Sequence, residues 1–182
     1  MRKVFIDGGA RVGESVEFLL DKREDLKGCD VYFFECNPEH KKTLEDISAT
    51  NKDYNFIVRD EALWTSEGTK NFYISNDRWG DLGCTLDPYK LESLDRENIL
   101  EVKTISLSDF INSLPEDAYI VLKLDVEGSE YEIVNDLLQT GSYKRIKELY
   151  VEWHDHFFLY KTSHKLKKVL EQTHIECHHD WV

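Results

Sequence analysis

No apolar run in the chain is long enough to span a bilayer, and no basic, then apolar, leader opens it. The expected location is therefore cytoplasmic, with no membrane insertion. Positive charge is scarce: 23 Lys and Arg face 36 Asp and Glu, a net charge of -13. Such a surface repels phosphate backbones, so nucleic acid is not an expected partner. The single basic cluster, "KTSHKLKK" from Lys161 to Lys168, reads as the solvated face of a helix. Cys29, Cys36, Cys84 and Cys177 show no C-x-x-C spacing, which excludes a zinc motif and a disulfide framework. G-x-x-x-x-G-K-[ST] is absent, so no P-loop is present.

The 182 residues suffice for one domain with a hydrophobic core. Apolar runs alternate with helical spacing, the signature of an α/β fold with a mostly parallel sheet. Strands are expected at Val4–Ile6, Val31–Glu35, Asn55–Asp60, Tyr119–Asp125 and Glu148–His154. Helices are expected from Gly13 to Arg23, where Val16, Leu19 and Leu20 recur at helical spacing, and from Pro38 to about Ser48. Another is expected after Ser129, which can cap it, with Gly141 as its stop. A last helix carries Leu166, Val169 and Leu170, and a short strand is possible near Ile175. Before the fourth strand the alternation breaks. "KNFYISND" and "VKTISLSD" read as an extra strand pair, with the loop "RWGDLGCTLDPYK" between them.

In an open parallel sheet, ligands bind beyond the carboxyl ends of the strands. Asp7, Glu35, Asp60, Asp125 and His154 stand there. The first turn, "VFIDGGARVGES", nearly matches the dinucleotide pattern but fails at Ala10. Asp7 would also oppose a pyrophosphate. A cationic ligand reverses the sign, and S-adenosylmethionine carries an ammonium and a sulfonium without phosphate. In this reading Asp7 meets the ammonium, directly or through water. Gly8 and Gly9 let the backbone approach the ligand. The helix start near Gly13 to Ser15 offers amides to its carboxylate. Glu35 accepts the ribose hydroxyls, and Asp60, Glu61 and Ala62 meet the adenine edge.

"IDGGARVGES", "FFECNPE", "VKTISLSDFI" and above all "LKLDVEGSEYEIV" resemble the FkbM-type methyltransferases. The resemblance spans nearly the whole chain and implies one Rossmann-like methyltransferase domain over residues 1–182. It implies methyl transfer from S-adenosylmethionine, commonly to a hydroxyl of a sugar, glycan or natural product. Arg11 departs from the asparagine such families often carry. The chain starts at its first strand and ends early, so no N-terminal helical cap or terminal hairpin is expected, and a homodimer is compatible with these bare ends.

An alcohol needs a base, or a metal that lowers its pKa. The candidate catalytic residues are Asp125, Glu127, His154 and Lys123. His154 or Asp125 would be the base, with Lys123 and Glu127 orienting the acceptor. Lys123 reads equally as half of a buried ion pair, and Glu127 as a carboxylate at a helix N-terminus. Asp125, Glu127, His154 and Asp155 could also hold a divalent metal, although no spacing requires one. Trp79, Thr85 and Tyr89 could contact a sugar, or their loop could be an apolar lid. "DPY" at Asp87–Tyr89 resembles the D-P-P-Y motif of nucleic-acid methyltransferases without its second proline. A non-catalytic binding module and an NAD-dependent oxidoreductase complete the alternatives.

Overall fold

A computed structural model describes residues 1–75, 80–90 and 94–179. The elements run β1 (Lys3–Gly8), α1 (Ser15–Lys22), β2 (Asp30–Phe34), α2 (Lys41–Thr50), β3 (Asn55–Arg59), β4 (Ala62–Trp64) and β5 (Gly68–Ser75). They continue as β6 (Leu94–Ser106), α3 (Leu107–Ser113), β7 (Tyr119–Leu124), α4 (Glu130–Thr140), β8 (Ile146–Val151), α5 (His164–Leu170) and β9 (Glu176–His178). The main sheet has six strands in the order β3-β2-β1-β7-β8-β9, and every pairing in it is parallel. The expected Rossmann-like α/β architecture is thus present. Strand order reverses between β1 and β7, the switch point where such sheets open a ligand crevice.

Side chains alternate across the sheet. Val4 and Ile6 of β1 join Leu122 and Leu124 of β7 in a core capped by Phe110 and Ile111 of α3 and by Ile133, Val134 and Leu137 of α4. Phe5 points the other way, into a second core with Val31, Phe33, Val121, Leu19 of α1 and Leu44 of α2. Each fully buried side chain of this size contributes about 1.5–3 kcal/mol. The same alternation puts Asp7 and Lys123 on the α1 face, and the register sets them directly side by side.

The inserted segment is richer than a strand pair. It forms a three-stranded sheet in the order β4-β6-β5, with β4 parallel and β5 antiparallel to β6. The expected strand through Asp109 stops at Ser106, whose hydroxyl accepts the Asp109 amide at 3.1 Å and so starts α3. Charged residues such as Asp95 and Glu97 hide the first half of β6 from a hydrophobic pattern. Pro38 lies in a turn before α2 rather than inside it: Asn37 Oδ1 accepts the Glu39 amide at 3.1 Å, and the helix begins at Lys41. Gly141 ends α4 at φ 80°, as expected, but Ser129 makes no side-chain capping bond at its start.

Candidate active site

The turn after β1 is set by close approach. Gly9 has φ 78°, and a Cβ on it would lie 1.8 Å from the Asp125 carbonyl oxygen. Only glycine lets the turn lie against the end of β7. Its amide and that of Ala10 both donate to the Phe34 carbonyl, at 3.0 and 3.2 Å. Gly13 has φ 85° and abuts Ile47 of α2, while Gly8 lies against Leu63 and Leu124. The two glycines at Gly8 and Gly13 therefore serve packing within the chain. Arg11 takes φ 44°, a left-handed conformation that asparagine adopts more readily than arginine.

Asp7 does not line the cleft. It is fully buried, its Oδ1 lies 3.1 Å from Lys123 Nζ, and its Oδ2 accepts the Ser15 hydroxyl. Lys123 also donates to the Gly9 carbonyl at 2.8 Å and lies 3.5 Å from Asp125. Burial would lower the lysine's pKa, but Asp7 and Asp125 outweigh it and raise it. Asp7, expected to meet an ammonium, and Lys123, expected to orient an acceptor, thus meet in one internal ion pair, the alternative reading of Lys123. Ser15 is spent on the same pair.

Glu35, by contrast, faces the cleft. Its Oε2 accepts the Arg11 amide at 2.8 Å and its Oε1 the Asn37 amide at 2.7 Å. Burial raises its pKa, although the two amides oppose the rise. The cleft runs from Glu35, Asn37 and His40 past Ala62, Leu63 and Phe72 to Gly9, Asp125 and Glu127, with Leu82, Cys84 and Leu86 of the inserted segment across it. Of the three residues expected at an adenine edge, only Ala62 lines it. Asp60 is exposed and pairs with Lys41 at 3.2 Å; Glu61 pairs with Arg59 at 2.8 Å. A second cleft shares Gly9, Arg11, Leu82 and Asp125 and continues along Glu14, Phe18, Tyr150 and Glu152.

Asp125 is where the two clefts meet. Burial raises its pKa, and Lys123 and His154 restrain the rise. His154 is buried with Nδ1 3.0 Å from Glu130 Oε1. Its Nε2 lies 3.3 Å from Glu127, and 3.9 Å from both Asp125 and Glu152. Burial alone would lower the imidazole pKa, but hydrogen bonds to Glu127 and Glu130 lift it to about 11. Glu127 and Glu130 thus favour the imidazolium, which has no lone pair to take a proton, and this speaks against His154 as the base.

Glu127 holds φ 53° and meets Lys90 at 2.6 Å. Burial would raise its pKa, but His154 and Lys90 bring it below the usual value. Lys90 also donates to the Gly83 carbonyl at 3.1 Å, and Thr85 donates to the Glu127 carbonyl at 2.6 Å. The inserted segment is thereby tied to the β7–α4 loop, and Thr85 is spent on the tie. Tyr89 is exposed, and Trp79 lies outside the described residues. Asp87 pairs with Lys161 at 2.8 Å and lines neither cleft, which removes "DPY" from the site.

The sequence reading misses Glu130 and Lys90. Glu130 is fully buried and accepts the amides of Val126 and Gly128, both at 2.9 Å, besides facing His154. In the metal-like grouping it stands in place of both Glu127 and Asp155. Ligand atoms of Asp125, Glu130 and His154 lie within 4.8 Å of one another, whereas Asp155 bonds Tyr131 and Ser163. A cation there competes with the loop's own hydrogen bonds to Glu130.

The sequence matches the methyltransferase FkbM domain over residues 7–174. The chain belongs to the FkbM methyltransferase family. No curated protein and no solved structure matches it. The match begins at Asp7 and reaches beyond α5, so this FkbM domain includes the inserted sheet and both clefts. No helix among the described residues is long and apolar enough to cross a membrane.

Proposed function

We propose that the chain transfers a methyl group from S-adenosylmethionine to a hydroxyl of a sugar, glycan or hydroxyl-rich natural product. The observation that carries this reading is the run of one cleft from Glu35 at the end of β2 to Asp125 at the end of β7, lined by carboxylates and apolar side chains. The donor fits that chemistry. Each Glu35 oxygen takes one backbone amide and keeps lone pairs for the vicinal ribose hydroxyls. Ala62, Leu63, Phe72 and Leu86 offer apolar surface to a flat base. Asp125 and Glu127 bring negative charge where a sulfonium is welcome and a polyphosphate is not. When bound, the donor supplies a methyl group on a positively charged sulfur.

The chain's own residues do the remaining work. Asp125 stands at the junction of the clefts, and its raised pKa makes it a stronger proton acceptor than an exposed carboxylate. It takes the hydroxyl proton as the acceptor oxygen is alkylated. Lys123 and the His154 imidazolium fix the position of Asp125. Phe18, Tyr150 and Glu152 in the second cleft offer ring surface and a carboxylate, the groups that hold hydroxyl-rich molecules.

Calorimetry with S-adenosylmethionine tests the reading directly. Neither heat nor a thermal shift at saturating donor would refute it. Glu35→Gln is expected to weaken donor binding about tenfold or more, because one ribose acceptor becomes a donor. At saturating donor, Asp125→Asn should lose roughly 10²–10⁴-fold in turnover of a hydroxyl acceptor. Unchanged turnover removes Asp125 as the base.

A further inference from the structure

Ser129 sits at the N-cap of α4, where a serine hydroxyl ordinarily accepts an amide from the first turn. Here its backbone is helical, at φ -84° and ψ -7°, and the capping bond is not made. The residue is 1% exposed, and its Oγ has no hydrogen-bond partner among the described residues. Glu130, the next residue, accepts the amides of Val126 and Gly128 in the loop before the helix. A buried hydroxyl without a partner costs about 1–3 kcal/mol, a cost that a ligand accepting from it would offset. Ser129 lines the same cleft as Glu35, Ala62 and Asp125.

We infer that the Ser129 hydroxyl is a binding group for the nucleoside of the donor, donating to an acceptor atom of the base or ribose. This rests on the donor reading above. Serine has one rotatable side-chain bond with three staggered positions, which lets the hydroxyl turn toward a ligand in the cleft.

The test uses Ser129→Ala, which deletes a hydroxyl with no hydrogen-bond partner among the described residues. Without ligand, the variant should melt at or above the wild-type temperature. With S-adenosylhomocysteine and with adenosine as calorimetric probes, its affinity should fall by the same factor, roughly tenfold. A lower melting temperature overturns the inference, because the hydroxyl then has a partner in the free protein. Equal affinities for variant and wild type overturn it too, while leaving the donor reading intact. Loss toward S-adenosylhomocysteine alone places the contact on the amino-acid end and refutes the nucleoside assignment. Wild-type protein that binds neither probe refutes the donor reading itself.

Discussion

Asp7 shows how much one residue's partner decides. A carboxylate at the mouth of a glycine turn invites a cationic ligand, yet Lys123 lies beside it in register and both side chains are buried. Removing one half of a buried pair strands the other charge, at a cost of about 3–5 kcal/mol. Asp7→Ala is therefore expected to lower the melting temperature by roughly 10 °C. The double change Asp7→Asn with Lys123→Met should recover much of the loss, since no charge is left stranded. A shift of Asp7→Ala within error of wild type contradicts the pairing. The sequence could place Asp7 and Lys123 at strand ends and offer the ion pair as one reading of Lys123. It could not choose that reading, because the partner lies more than a hundred residues away and only β1–β7 register joins them. Glu35 was legible for the opposite reason: its partners, the amides of Arg11 and Asn37, belong to the turns that follow β1 and β2.

Among the elements, the loop from β7 to α4 brings acidic charge into the site. Asp125 and Glu127 come from this loop, Glu130 takes the first position of α4, and Glu152 and His154 follow β8. Phe157 adds a ring beside the imidazole. The carboxylates hold His154 protonated to about pH 11, against 6.5 for an ordinary histidine. The folded protein therefore keeps a proton that the unfolded chain loses above about 6.5. That stabilisation is complete below the unfolded value, declines as pH rises, and is gone once the folded group titrates. Melting temperature should fall between pH 7 and pH 10, and His154→Gln should fall less steeply over the same range. Parallel slopes for the two proteins would exclude the protonated ring as the source. This cluster was partly legible: strand ends gave Asp125 and His154, and the turn gave Glu127. Glu130 escaped notice because an acid in a first helical turn is ordinarily solvated, and no pattern reveals that this one is buried. The inserted sheet was half legible as well, since three-residue β4 is too short for any periodicity and α3 follows β6 without a break.

For the whole molecule, charge is the property that reaches furthest. A net charge of -13 surrounds clefts whose own lining is rich in carboxylates, so the field at the site is negative on both the short and the long range. S-adenosylmethionine carries a net positive charge, and S-adenosylhomocysteine, formed when the methyl leaves, carries none. The two share every contact except those to the methyl and the sulfur charge. Screening then acts on one and not the other: the Debye length shrinks from about 20 Å at low salt to about 4 Å near 0.5 M. Raising salt across that range is expected to weaken donor binding severalfold while product binding stays within about twofold. Calorimetric titrations of both ligands at two salt concentrations measure the difference directly. Equal salt slopes for the charged donor and the neutral product would show that the negative field does not reach the site. The charge argument that separates a methyl donor from a polyphosphate ligand in this fold would then fail with it.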